Sequence, residues 1–367
     1  MKICYLTHDL RHDYGSGVFS KRLIEGVRGR MRCEVIALTS EYAGVEYERP
    51  LLIPHKYKFL REIFRIRRIF KECDIIHALD GFPYGAIAAI LSVGLGKPLI
   101  ITGAGTGAVL ALYKRIPGML LRWSYRRADR VTAISNFTKQ EMTRFVPDIS
   151  VKVVNHGVDV ELFQRADGSH VDIKRFQPYI LSVGTLRWRK GYDISIRAFA
   201  QAQKKISSLH YVIVGKKYKN DYYRQLQTLI DELHLKDKIH ILERIDIKEE
   251  LADIYKGAEL FCLFSQNHGH DIEGFGLVFL EAAAAGIPVV GIKNCGVEDA
   301  VLDGENGYLV EPRRYDDPNA FTSAIIKILE DEDLKKRMAA SSLAFAKRST
   351  WDERIGEYVR IYKKLIK

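Results

Sequence analysis

At 367 residues, with 47% hydrophobic and 28% charged residues, the chain has room for two domains and an ordinary composition, which excludes a disordered or fibrous protein. Lys and Arg number 57 against 46 Asp and Glu, a net charge of +11 that predicts an anionic partner: nucleic acid, a phosphate-bearing substrate or an anionic lipid surface. The opening run MKICYLTHDL is too short for a signal peptide, and the longest apolar run, GAIAAILSVGLG at 85–96, falls well short of the ~20 residues of a spanning helix, so a cytoplasmic protein is expected.

Short β-branched, apolar runs alternate with helical periods along the whole chain. The first series predicts strands at 2–7, 33–39, 74–79, 98–104, 130–135 and 151–157. The polar stretch RADGSHVDIKRFQP at 165–178 reads as a linker. A second series then predicts strands at 179–185, 210–215, 239–244, 260–265 and 288–292, and STWDERIGEYVRIYKKLIK at 349–367 reads as a closing amphipathic helix capped by Ser349 or Thr350. Apolar strands alternating with helices imply parallel sheets covered on both faces. The expected architecture is α/β, two Rossmann-like domains of residues 1–170 and 171–350 facing across a cleft, with 351–367 returning to the first. Ligands of such sheets bind beyond the carboxyl ends of the strands. The scattered Cys4, Cys33, Cys73, Cys262 and Cys295 have no metal-ligand spacing and predict buried thiols in a reducing compartment.

The chemistry concentrates in DIEGFGLVFLEAAAAGIPVVG at 271–291. Glu273 precedes Gly274-Phe275-Gly276, and Glu281 follows on a helix that Gly286 and Pro288 end. The N–H groups of a helix start favour an anion or a cluster of hydroxyls, and glycine lets a ligand approach the backbone. Two helical residues eight apart lie ~12 Å from one another, too far for a glycosidase carboxylate pair, so the two glutamates should hold separate parts of one extended ligand. The plainer reading makes Glu281 a surface residue and Glu273 a first-turn acid that complements the helix dipole. Earlier in the chain, LRWRKG at 186–191 follows a strand end, where cations would meet a phosphate, although most such runs are solvated turns.

These stretches together resemble the retaining glycosyltransferases of family 4, which have the GT-B fold. The resemblance rests on Glu273 and Glu281 at E-x7-E spacing, VGTLRWRKGYD at 183–193, VVNHGVDVELF at 153–163, and DIIHALD, ADRVTAIS and CGVEDAVLDGENGYLVEP in the family's order. It implies a nucleotide-sugar donor. Glu281 would bind the ribose, Glu273 and the amides of Gly274, Phe275 and Gly276 the sugar hydroxyls, and Lys190 and Arg189 the diphosphate. Arg244 and Ile245 would lie near the base, with uridine favoured on family frequency and guanosine open. No cofactor or metal is implied. The first domain would take a glycan or lipid-linked acceptor.

Three places depart from that pattern or leave it open. Thr185 stands where many members carry Arg directly after the motif's glycine, so that role passes to Arg189, with Arg187 its competitor. Gly15 and Gly17 lack the third glycine of a dinucleotide loop, and the resemblance puts them opposite the donor phosphates. Gly103 and its neighbours in IITGAGTG stand where many relatives have a histidine, which would widen the acceptor pocket.

HGHD at 268–271 is too sparse for a metal site, and DED at 331–333 reads as a solvated acidic surface. The helical period at 56–74 (Phe59, Ile63, Ile66, Phe70) predicts an amphipathic helix packed on its own domain; the sharper reading adds contact between its basic face and anionic lipid. YKRIPGMLLRWSYRRADR at 113–130 is a second basic, aromatic patch. The rival functions are a nucleotide-sugar epimerase, a non-catalytic sugar-nucleotide sensor and a nucleic-acid-binding protein. The last lacks any helix-turn-helix, finger or RNP pattern, and no nucleic-acid partner is expected.

Overall fold

A computed structural model describes residues 1–11, 15–52, 56–243, 245, 247–267, 269–311 and 317–366, with the side chains of 56–60 excepted. The chain forms two units, Met1–His156 with Trp351–Lys367, and Gly157–Thr350.

The first unit holds seven strands: β1 (Lys2–Leu6), β2 (Glu34–Leu38), β3 (Glu48–Arg49), β4 (Ile75–Ala78), β5 (Leu99–Gly103), β6 (Arg130–Ala133) and β7 (Val151–Val153). They lie in the order β3-β2-β1-β4-β5-β6-β7, and every pairing is parallel. The strand order reverses between β1 and β4. All residues of β4 and β5 are buried, as expected for a sheet with helices on both faces.

The closing helix, Trp351–Leu365, packs on this unit. Its Tyr362 hydroxyl meets His77 Nδ1 at 2.7 Å, while His77 Nε2 meets Thr102 Oγ1 at 2.8 Å. Burial lowers the His77 pKa to about 3, so the ring is neutral and serves as a hydrogen-bonding joint between helix and sheet.

The second unit has β8 (Tyr179–Val183), β9 (His210–Val214), β10 (Ile239–Leu242), β11 (Leu260–Cys262), β12 (Val289–Ile292) and β13 (Gly307–Val310). Their order is β10-β9-β8-β11-β12-β13, again all parallel, with the reversal between β8 and β11.

The divide between units falls at His156, ahead of the boundary at 170 read from composition. The polar segment belongs to the second unit because its amides are used there. Gln164 Nε2 donates to the Ala284 carbonyl at 2.6 Å, and the N–H groups of Gly168 and His170 donate to the two oxygens of buried Asp253, each at 2.9 Å. Strands β3 and β13 were not expected; both lie at a sheet edge with one pairing partner, β3 has only two residues, and β13 follows the turn-like DGEN. The five cysteines are buried and free. Among the described residues no helix is long and apolar enough to cross a membrane.

Candidate functional site

The second unit brings its chemistry to the reversal point of its sheet. β8 is followed by Gly184, whose φ of +148° favours glycine, and Gly215 after β9 must also be glycine because a Cβ there would strike the Gly184 carbonyl. A single 3-10 turn, Trp188–Lys190, follows and stops at Gly191 (φ +57°). A Cβ there would run into the Phe264 carbonyl, so no other residue lets the loop pass so close to the chain leaving β11. That chain clasps the turn in return, because the Gln266 N–H donates to the Arg189 carbonyl at 2.8 Å. Two loops leaving adjacent strands are thereby fixed against each other.

Glu273 sits where they meet. Lys190 Nζ donates to Glu273 Oε2 at 2.5 Å, and Arg189 Nη1 lies 2.9 Å from the same oxygen. Arg189 also reaches the Ile272 carbonyl at 3.2 Å and lies 3.3 Å from Asp271. The Glu273 backbone is held on both sides: its N–H donates to Asn267 Oδ1 at 3.1 Å and its carbonyl accepts from Gly296 N–H at 2.8 Å. Burial alone would raise the Glu273 carboxyl, but the Arg189 and Lys190 cations hold it down at about 2. Burial lowers the Lys190 pKa, and Glu273 opposes that shift. One carboxylate is thus shared by two cations.

The helix Leu277–Ala285 starts from Gly276 (φ +80°) without a side-chain cap. Phe279, Leu280 and Ala282–Ala285 are buried, so the helix is apolar around most of its girth. Glu281 is its one charged residue, half-buried and bonded by the Tyr255 hydroxyl at 2.9 Å. Burial pushes the Glu281 carboxyl up to about 7, with Tyr255, Lys248 and Lys190 pulling the other way. Gly274 and Phe275 complete the bend, Phe275 being buried.

Arg187 goes elsewhere, its guanidinium stacked 4.2 Å from the Tyr218 ring centre. Ile245 is half-buried after β10, while Arg244 lies outside the described residues. Asn267 and Tyr255, which position the two glutamates, carry no local sequence signal.

In the first unit Gly15 and Gly17 open the helix Gly15–Met31. A Cβ at Gly17 would strike the Arg11 carbonyl and the Asp9 carboxylate, so that glycine serves a close backbone approach; residues 12–14 lie outside the described residues. Gly103 does not widen a pocket at its own position: the Met142 sulphur and Ala108 fill the space a side chain would take.

Around the β1/β4 reversal stand groups that the sequence reading passed over. His8 Nδ1 meets Ser40 Oγ at 2.8 Å and the Tyr84 hydroxyl at 3.0 Å. Arg11 pairs with Asp9 and Glu41. Asp80, at the end of β4, accepts from the Gly81 N–H at 2.7 Å, and burial raises its carboxyl to about 7.

His8, Asp9 and Glu41, and likewise Asp167, His170 and Asp253, lie close enough to share an ion, but Arg11 and backbone amides already engage those carboxylates. In HGHD, His270 joins neither group and His268 lies outside the described residues. In DED, Asp331 caps the helix Glu332–Lys347, accepting from the Leu334 N–H at 2.9 Å.

Residues 169–343 match the model for glycosyl transferases group 1, and residues 15–162 the model for glycosyltransferase family 4. The chain belongs to the family 4 glycosyltransferases of GT-B fold.

Relatives of this glycosyltransferase include an uncharacterised glycosyltransferase of Methanocaldococcus jannaschii, 25% identical over 88% of both chains. Another is a GDP-mannose-dependent alpha-(1-6)-phosphatidylinositol monomannoside mannosyltransferase of Mycolicibacterium smegmatis, 27% identical over 84% of this chain and 79% of that one. Among solved structures, HepE of Anabaena, in complex with UDP and glucose, shares the fold with a TM-score of 0.79 at 19% identity, covering 99% of this chain and 100% of that one.

Proposed function

We propose that this enzyme is a retaining hexosyltransferase that takes its sugar from a nucleoside diphosphate, UDP before GDP. The observation that carries the reading is Glu273 shared by Lys190 and Arg189 at the junction of the β8 and β11 loops. A departing diphosphate gains charge as the glycosidic bond breaks, and fixed cations aimed at it lower the barrier. Lys190 and Arg189 fill that role, so no divalent metal is needed and EDTA leaves turnover unchanged. Glu273 and the 274–276 amides orient the sugar, and ionised Glu281 accepts from the ribose hydroxyls. The leaving diphosphate takes the proton of the incoming acceptor hydroxyl on the same face, which retains the anomeric configuration. UDP is supported by the HepE complex, whereas the mycobacterial relative is named for GDP-mannose.

A nucleoside-diphosphate-release assay, reading UDP from UDP-sugars and GDP from GDP-sugars, tests the reading, with K190A as control. Release from at least one donor, lost in K190A, is expected; equal release by K190A removes the assignment. The anomeric proton coupling of the product reports retention or inversion. An epimerase would instead convert the donor without releasing nucleotide.

The acceptor is proposed to be lipid-linked and presented at an anionic membrane surface. The helix Arg115–Arg127 carries the support: Ile116, Met119 and Trp123 are 77%, 64% and 41% exposed and share one face, beside Lys114, Arg115, Arg122 and Arg126. In the Lys56–Glu72 helix, by contrast, Ile66 and Phe70 are buried in their own unit. Flotation with phosphatidylglycerol vesicles, weakened by salt and by I116D/W123D, is the expected result; salt-insensitive partitioning equal to that with neutral vesicles contradicts it.

A further inference from the structure

The first unit has a concavity at the amino ends of its last strands, away from the β1/β4 reversal groups at the carboxyl ends. A cavity of about 580 Å³ opens at the amino ends of β6 and β7, walled by the end of the Arg115–Arg127 helix and by the closing helix. Five cations line it: Arg126, Arg130, Lys152, Arg360 and Lys364. Its two acids are already engaged. Asp148 takes Arg126 Nε and Nη2 at 2.6 and 3.0 Å, and Asp129 accepts the Leu99 N–H at 2.8 Å. Lys152 lies 3.5 Å from Glu357. Among the described residues, no carboxylate pairs with Arg130, Arg360 or Lys364. Arg360 and Lys364 stand one turn apart on one helix face, a like-charge arrangement that costs a free helix a few tenths of a kcal/mol. Five exposed cations around one hollow give it a positive potential, and the volume suits a small ligand.

We propose that this cavity binds a phosphate-bearing anion, apart from the donor site. Arg130 and Arg360 offer forked donors to phosphate oxygens and Lys364 a point charge. The phosphate belongs either to a lipid headgroup or to a soluble phosphate compound. Arg126 continues the exposed face of Ile116, Met119 and Trp123, which places the cavity at the end of that apolar stripe. The site stands on its own geometry; only its lipid source rests on the membrane reading above.

The test uses the full chain and two probes. Inorganic pyrophosphate is titrated while the backbone amide signals of residues 130, 132 and 152 are followed beside those of 190 and 273. Saturable shifts in both groups are expected, with R360E/K364E weakening the response at 130–152 about tenfold and leaving that at 190 and 273 unchanged. R130Q serves as the second variant, and far-UV circular dichroism checks that both fold. In the second arm, flotation on phosphatidylglycerol vesicles that falls about tenfold in R360E/K364E assigns the phosphate to lipid. Pyrophosphate shifts at 130–152 without flotation of the wild type assign it to a soluble compound and reject the membrane reading alone. No shift at 130–152, together with flotation unchanged by either variant, overturns the proposal.

Discussion

The two sheets reverse their strand order in the same way, yet the groups gathered there differ in kind. At β8/β11 two cations share the buried Glu273, and a helix start without a side-chain cap lies beside them. At β1/β4 an imidazole, a serine and a tyrosine are knotted by hydrogen bonds, with Arg11 divided between Asp9 and Glu41. Topology supplies the place and side chains supply the affinity. The first set centres on a charged cluster, the second on a hydrogen-bonded network beside an ion pair.

The contrast can be broken first at Glu273. E273A leaves Lys190 and Arg189 as buried cations without their shared partner, so the second unit should lose about 3–5 kcal/mol of stability, read by urea unfolding. K190A leaves Glu273 with Arg189; it should keep most of that stability and lose turnover by about 10²–10³-fold in UDP release. If both variants unfold alike, the asymmetry drawn here is wrong. Acid tests the same cluster. Because the folded Glu273 pKa of about 2 is below its ordinary 4.5, its contribution to stability is complete above 4.5 and is lost as pH falls towards 2. E273Q should lack this component of acid unfolding.

Glu281 sharpens the comparison from the other direction. Its folded pKa of about 7 lies above 4.5, so the carboxyl is protonated in mildly acidic solution and its ionisation weakens the fold as pH rises from 4.5 through 7. Ribose binding by the ionised form should then tighten as pH rises through 7, by about tenfold in all between pH 6 and 8, and level off above. Calorimetric titration of UDP between pH 6 and 8 measures it, and E281Q should flatten the difference. The smallest effect is expected at the other reversal point. H8A removes a group whose neighbours, Ser40, Tyr84, Glu41 and Asp9, all lie in the first unit, so UDP affinity should stay within about twofold of wild type. A large loss would mean that the two sets do not divide their labour as described.

Much of the fold was legible because buried parallel strands read as continuous apolar runs. The stretches YILSV and LFC announced β8 and β11 without any partner in view. Strand β13 was hidden by its place at the sheet edge, where it pairs on one side and its middle residues are only partly buried, and the divide at His156 by composition: polar residues look alike whether they face water or donate to Asp253. The site was half legible. Glu273, Lys190 and Arg189 announced themselves as motifs, but the contact between Lys190 and Glu273 spans 83 residues and exists only because β8 and β11 are neighbours. Tyr255, Asn267 and Asp80 had no local signature, since each acts through a partner that the fold delivers.

On the proposed function, the loops after β8 and β11 grip the nucleotide of an activated sugar. A crystal of the full chain soaked with UDP tests it most directly. Density is expected with the diphosphate against Lys190 and Arg189 and the ribose against Glu281. Well-ordered nucleotide bound elsewhere, with those three side chains untouched, contradicts it.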